Sequence, residues 1–164
     1  MSLRIATAAV VVSIASLLVA ASCQRAPAPG PLAPTASAWS MSGVPARVGQ
    51  VIDFGDVQLA VHRPGLSWTL VAAAPVGMPK GMVLVGVGAV PGGENGTGYG
   101  FPPAHMRGLP LRVRGAAGVA IAVKATRNGV LQFRGVRVTY SVGSKQFVFV
   151  FPAGLRLCIE VACP

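Results

Sequence analysis

Acidic residues are scarce in this sequence. The 164-residue chain has four Asp and Glu residues against 14 Lys and Arg, which gives a formal net charge of +10. So few carboxylates leave little material for catalysis by paired carboxyl groups or for a site that binds a hard metal ion. Charged residues of both signs make up only 11% of the chain, which excludes a coiled coil or a helical bundle rich in Glu and Lys.

A helical hydrophobic period is also missing. From Val48 onward, short runs of alternating apolar residues are separated by Gly, Pro and Asn, a pattern typical of β-strands. We therefore expect an all-β fold, a single antiparallel β-sandwich of immunoglobulin-like architecture. The predicted strands are 57–62, 67–73, 82–90, 109–114, 119–126, 130–134, 136–142, 145–151 and 155–158.

Three hairpins are predicted, because residues directly opposed across a hairpin share one face of the sheet. The strongest signal is a two-residue loop at Gly143 and Ser144. The apolar pairs that the three loops would bring together are Tyr140 with Phe147, Val138 with Phe149, Val123 with Phe133, and Leu59 with Leu70. Inward positions change from odd to even numbers at Gly135, which predicts a bulge or a corner where the chain changes sheets.

The amino terminus has the features of an export signal. After Arg4, an uncharged run of apolar and small residues extends to Cys23. The residues Ala20-Ala21-Ser22 before Cys23 resemble the lipobox of bacterial lipoprotein precursors, although Ala20 stands where that family prefers Leu. The resemblance implies that residues 1–22 are a signal peptide and that Cys23 is lipidated as the first mature residue.

Two alternatives to lipidation stay open: cleavage to a secreted protein, and retention of the amino terminus as a membrane anchor. All three predict that the chain lies on the extracytoplasmic side of the cell membrane. Residues 23–42 are rich in Pro and Ala and are predicted to form a tether without helix or sheet, because proline lacks an amide donor. Residues 43–164 form the predicted sandwich domain.

The remaining cysteines, Cys158 and Cys163, are an even pair in a compartment that permits disulfides. A straight strand would hold them about 16 Å apart, which is too far for a bond. We therefore predict a disulfide together with a bend in residues 159–162. The spacing without another Cys or a nearby His is a poor match to a zinc site.

No catalytic motif is present, and we expect no enzyme and no cofactor. The chain has no Gly-x-Ser-x-Gly elbow and no His-Glu-x-x-His pair. Asp53 and Asp56 fit a turn at a strand boundary. The glycine-rich segment 92–100 lacks the ending of a phosphate loop and is predicted to be a long loop between strands. On and beside it, Tyr99 and Phe101 are candidates for binding aromatics or for part of a lid.

Soft metal binding is the alternative function. His105, Met106, Met78 and Met82 have the side chains that bind copper. Their spacing defines no ligand set, and methionine more often fills space in a core. A copper-binding protein outside the cytoplasm therefore stays the second hypothesis.

The basic residues form the other candidate site. Five cations are predicted to project from the solvent side of consecutive strands: Arg112, Arg114, Lys124, Arg134 and Arg137. Such a face suits lipid headgroups, an acidic wall polymer or an acidic protein, and it equally suits a plain solvated surface. Nucleic acid fits the charge but not the compartment. The first hypothesis is therefore a membrane-tethered, non-catalytic binding or structural module of the cell envelope.

Overall fold

The computed structural model describes residues 30–34, 43–61, 65–93, 97–103 and 105–163. In this part of the chain no helix is long and apolar enough to cross a membrane. The described residues form β1 (Leu32–Pro34), β2 (Val44–Ala46), β3 (Val51–Val61), β4 (Ser67–Val76), β5 (Met82–Pro91), β6 (Gly98–Tyr99), β7 (Leu111–Arg114), β8 (Ala117–Ala125), β9 (Gly129–Phe133), β10 (Gly135–Val142), β11 (Lys145–Phe151) and β12 (Leu155–Ile159). The signal segment and Cys23 lie outside the described residues.

The strands form three sheets. A five-stranded sheet has the order β1-β3-β8-β5, with β6 also paired to β3. A four-stranded sheet has the order β11-β10-β4-β7, and a three-stranded sheet has the order β2-β12-β9. Strand β2 runs parallel to β12, and the other neighbours within these sheets are antiparallel.

One hydrophobic core joins the three sheets. Phe54 of the five-stranded sheet meets Phe133 of the three-stranded sheet edge to face, with 5.4 Å between ring centroids. Trp68 of the four-stranded sheet is buried, and its indole nitrogen donates to the carbonyl of Gly115 at 2.9 Å, so its polar group is satisfied. The sheets pack together as an antiparallel β-sandwich, and the predicted fold class is confirmed.

The nine predicted strands all overlap observed strands, and the local predictions around Gly135 are correct. Strands β10 and β11 form a hairpin in the expected register, with Tyr140 opposite Phe147. Strand β9 belongs to the three-stranded sheet and β10 to the four-stranded sheet, so the chain changes sheets between Phe133 and Gly135 as predicted.

The two other predicted hairpins are wrong. Strand β8 does not pair with β9, because it is a central strand held between β3 and β5, which places Ile52 opposite Val123. Strand β3 does not pair with β4, and Leu59 lies opposite Ala117 instead of Leu70. In both cases the apolar alternation that fits a local hairpin is satisfied by a strand from elsewhere in the chain.

Strand β3 is longer than predicted at its start. Asp53 and Asp56, interpreted from the sequence as a turn, lie inside it, next to an irregularity between Phe54 and Val57. Strand β6 lies within the segment predicted as a loop. The expectation that residues 23–42 contain no sheet is wrong for β1, which pairs with the end of β3.

A chain segment crosses the outer face of the five-stranded sheet, and we call residues 97–103 and 105–110 the strap. Glycines on β5 make room for it, since a Cβ on Gly86 would lie 2.5 Å from the Phe101 ring and one on Gly88 would lie 2.5 Å from the Met106 sulfur. On β8, the alternate residues of both faces are buried. The strap therefore covers a face that would otherwise be exposed to solvent, and Phe101 lies over the outer face of β5 and not over an end of the sandwich.

Candidate functional site

Three of the five predicted cations share one face. Arg112 and Arg114 on β7 and Arg137 on β10 point away from the core on the four-stranded sheet, and all three are exposed. Arg112 lies opposite Thr69 of β4, whereas Arg137 lies opposite Ala74 of the same strand. Five residues of strand are about 17 Å, so the face divides into an Arg112–Arg114 pair and a separate Arg137.

Lys124 and Arg134 do not extend this face, and the prediction of one five-residue surface is wrong. Lys124 is on β8 in the five-stranded sheet, between Val51 and Val83. Arg134 is exposed at the corner between β9 and β10, where its amide donates to the carbonyl of Val76 at 3.2 Å. The error follows from the β8–β9 hairpin, which would have aligned these residues and does not form.

A polar cavity lies beside Arg112. Its volume is about 200 Å³, and its lining includes the side chains of Ser67, Thr69 and Ser141, which stand on the outward positions of β4 and β10. A guanidinium group and hydroxyl groups all donate hydrogen bonds, so the cavity suits a small anion such as a phosphate group. The sequence analysis did not identify these Ser and Thr residues, although their alternation with apolar residues on two predicted strands indicates outward-facing positions.

The chain before β2 docks against the aromatic edge of the sandwich. Gly30 lies against the hydroxyl of Tyr140 and the ring of Phe147, and these two rings are stacked with 5.2 Å between centroids. Leu32 is buried and lies opposite Val61 in the β1–β3 ladder. Burial raises the pKa of the Tyr140 phenol, and the backbone of Leu32 partly offsets this increase.

This docked segment and the Arg112–Arg114 pair lie at the same end of the domain, which we call the tether end. Strand β1 pairs with the last residues of β3, where Leu59 is opposite Ala117. Ala117 follows Arg114 by three residues, and Arg114 is opposite Ser67 at the start of β4. The docked segment packs against core-facing rings at the β10–β11 edge of the four-stranded sheet, whereas Arg112 and Arg114 lie on the outward face of its opposite edge strand, so the two features share an end of the domain but not a surface.

The predicted copper ligands are not brought together. Met82 begins β5 and is buried in the core, and Met78 is exposed in the preceding loop. Met106 lies over Gly88 on the strap, and His105 beside it is exposed. Six residues of β5 separate Met82 from Gly88, which is about 20 Å. Within the described ranges, no group of three or more His, Cys, Asp or Glu side chains is placed to hold a metal ion.

The cysteine pair is at disulfide distance, as predicted. Cys158 and Cys163 have their Cα atoms 5.4 Å apart. The chain bends at Glu160, whose φ of 54° is in the left-handed region. Gly43, which leads into β2, lies directly against both sulfur atoms, where a side chain would not fit. The two cysteines therefore pack against the residue that leads into β2, which holds the turn after β12 against the start of the domain.

Asp56 holds the start of the strap. The hydroxyl of Thr97 donates to a carboxylate oxygen of Asp56 at 2.5 Å. Burial raises the pKa of this carboxyl group above its ordinary value, and the hydrogen bond from Thr97 partly offsets the increase. This hydrogen bond fastens the start of the strap to β3.

The fold and these surfaces define an all-β sandwich domain with a cationic outer sheet face and a polar cavity at the same end as a docked amino-terminal segment. No protein-family model matches the chain, and no curated protein matches it. The function is therefore inferred from the site alone.

Proposed function

We propose that the protein is an exported, lipid-anchored and non-catalytic binding module on the extracytoplasmic face of the cell membrane, and that its Arg112–Arg114 pair contacts anionic lipid headgroups. The observation that carries the proposal is the polar cavity beside Arg112 at the tether end of the domain. The lipobox-like residues before Cys23 support the anchor. Mass spectrometry of the mature amino terminus should find a lipid-modified Cys23.

The position of the docked segment favours headgroups over a wall polymer or an acidic protein. If Cys23 is lipidated, only residues 24–29 separate it from Gly30, which is packed against the domain. Seven residue steps span at most about 25 Å even when fully extended. The tether end therefore stays close to the membrane surface, where phosphate groups are the most abundant anions within reach of Arg112.

The charge balance supports the same partner. The exposed arginines of β7 have Ser67 and Thr69 as neighbours across the ladder, and neither is acidic. Each Lys or Arg near an anionic membrane contributes about 1 kcal/mol to binding. Removing Arg112 and Arg114 together should therefore weaken binding by about 30-fold.

The test is co-sedimentation of the chain without residues 1–23 with vesicles of phosphatidylglycerol and phosphatidylcholine. The double variant Arg112→Ser/Arg114→Ser should lose most binding, and added salt should weaken binding of the original chain. The matched control is Arg134→Ser/Arg137→Ser, which removes the same charge at the other end of β10, where Arg137 is four residues, about 13 Å, from Ser141 in the cavity lining. Equal losses of vesicle binding in both double variants would show that binding depends only on net charge and not on the Arg112–Arg114 pair. The absence of binding at low salt would refute the proposal.

A further inference from the structure

A second concave surface lies at the other end of the domain. It is an open groove of about 560 Å³ between Tyr99 and the disulfide-bonded turn, a volume within the range of about 300 to 1,000 Å³ typical of small-molecule sites. Tyr99 lies opposite Ile52 at the start of β3, whereas the docked β1 lies opposite Val61 at its end. Nine residues of strand are about 30 Å, so the groove lies far from the tether end, at the other end of β3.

Tyr99 forms one wall of the groove and is held in place with its ring in solvent. Its side chain is 63% exposed, the largest exposure among the large hydrophobic side chains of the described residues. Its hydroxyl donates to the carbonyl of Pro45 at 3.1 Å, and the next residue, Gly100, donates its amide to Val51 at 3.0 Å. The ring is therefore a fixed, flat and apolar surface, which loses little conformational entropy when a ligand stacks on it.

The opposite wall carries polar groups in fixed positions. Glu160 is on the bend between the two cysteines, and its carboxylate accepts a hydrogen bond from the side-chain amide of Asn128 at 2.9 Å. Elsewhere in the lining, the backbone amide of Arg47 donates to the side-chain carbonyl of Gln50 at 3.0 Å. The groove lining thus combines the aromatic ring with residues that carry a carboxylate, a carboxamide and a guanidinium group, which together both accept and donate hydrogen bonds.

An extended peptide fits this groove poorly. The edge strand beside it is β2, and an added strand would need free backbone donors and acceptors along that edge. Pro45 in the middle of β2 has no amide hydrogen, and its carbonyl already accepts the hydroxyl of Tyr99. The edge is therefore blocked at its centre, which leaves side chains as the recognition elements.

We propose that this groove binds a saccharide, with one pyranose ring stacked on Tyr99 and its hydroxyl groups hydrogen-bonded to Glu160, Gln50 and Arg47. An aromatic ring beside paired donors and acceptors matches the apolar face and the polar rim of a sugar ring. Its position away from the tether end presents the groove to polysaccharides outside the membrane. The source of the saccharide thus rests on the proposed anchor at Cys23, whereas binding in the groove does not depend on headgroup contact at Arg112.

The test is calorimetric titration of the full chain in detergent micelles with two probes, chitotetraose and tetragalacturonate. At least one should bind with a Kd of about 1 mM or tighter. Tyr99→Ala should weaken that binding by about tenfold or more, whereas Tyr99→Phe, which keeps the ring, should weaken it by no more than about threefold. Gln50→Ala should also weaken it, and Gln146→Ala, an exposed glutamine on β11, is the matched control.

Circular dichroism of each variant checks that the fold is retained. The proposal is overturned if neither oligosaccharide binds, or if Tyr99→Ala binds as tightly as the original chain. The variant Arg112→Ser/Arg114→Ser should bind the saccharide normally, so the two proposals can fail separately.

Discussion

The docking of the amino-terminal segment can be tested by the single substitution Gly30→Ala. A Cβ at this position would overlap the hydroxyl oxygen of Tyr140 and approach the Phe147 ring to 2.8 Å. Tyr140 is 2% exposed and also contacts Trp68 edge to face at 6.2 Å. Because Tyr140 is buried between Trp68 and Phe147, we expect the segment around Leu32 to leave the domain.

The size of the effect is limited by what docking contributes. Overpacking of this kind costs about 1 to 3 kcal/mol, and burial of a leucine such as Leu32 contributes about 1.5 to 3 kcal/mol. The clash is thus comparable to the whole docking energy, and β1 should be largely detached. Because the rest of the core stays intact, the free energy of unfolding should fall by about 2 kcal/mol, which lowers Tm by about 5 to 10 °C.

Hydrogen exchange measured by mass spectrometry distinguishes detachment of β1 from destabilisation of the whole domain. Peptides that contain Leu59–Val61 should exchange faster in Gly30→Ala, since β1 covers this edge of β3. Peptides from β8 should be unchanged. Gly108→Ala is the control, because a Cβ there meets nothing within 4 Å. Unchanged exchange at Leu59–Val61 with an unchanged Tm would refute the docking argument.

The remaining predictions concern the strap. Burial raises the folded-state pKa of Asp56 above 3.8, so the stability contributed by the protonated carboxyl group is complete below that pH and is lost as the pH rises through the folded-state value. The variant Asp56→Asn, which still accepts a hydrogen bond from Thr97, should therefore raise Tm at pH 7 but not below pH 3.8. An equal gain in Tm at both pH values would contradict this. Gly88→Ala would bring a Cβ to 2.5 Å from the Met106 sulfur and 2.9 Å from the Arg107 carbonyl oxygen. The free energy of unfolding should therefore fall by about 1 to 3 kcal/mol, and trypsin should cleave faster after Arg107. A cleavage rate equal to that of the original chain would show that the strap adjusts to the added methyl group.

Local features of the fold were predictable from the sequence, and distant pairings were not. The β10–β11 hairpin follows from the Gly143-Ser144 loop, since both strands and the turn are consecutive. Strand β8 was given the wrong partner because Val123 finds an apolar residue opposite it in either pairing. Alternation determines which face of a strand is buried, but it does not determine which strand lies beside it.

The candidate site shows the same limit. Arg112 and Arg114 were placed on one face correctly, because their spacing within a single strand is enough to decide it. Lys124 was placed wrongly, because its position depends on which sheet contains β8. A signal for the strap was present, since β8 alternates Val and Ile with Ala instead of polar residues, as in strands covered on both faces.

The pairing of β2 with β12 has a consequence for how the chain reaches its native state. Val44 near the start of the domain lies opposite Leu157 near its end. A chain that emerges amino terminus first cannot complete the three-stranded sheet until its last strand is available, and contacts between such distant residues form slowly. Until then the edge of β2 has no neighbour, so the interval between emergence and completion is when this protein is most exposed to aggregation and to proteases.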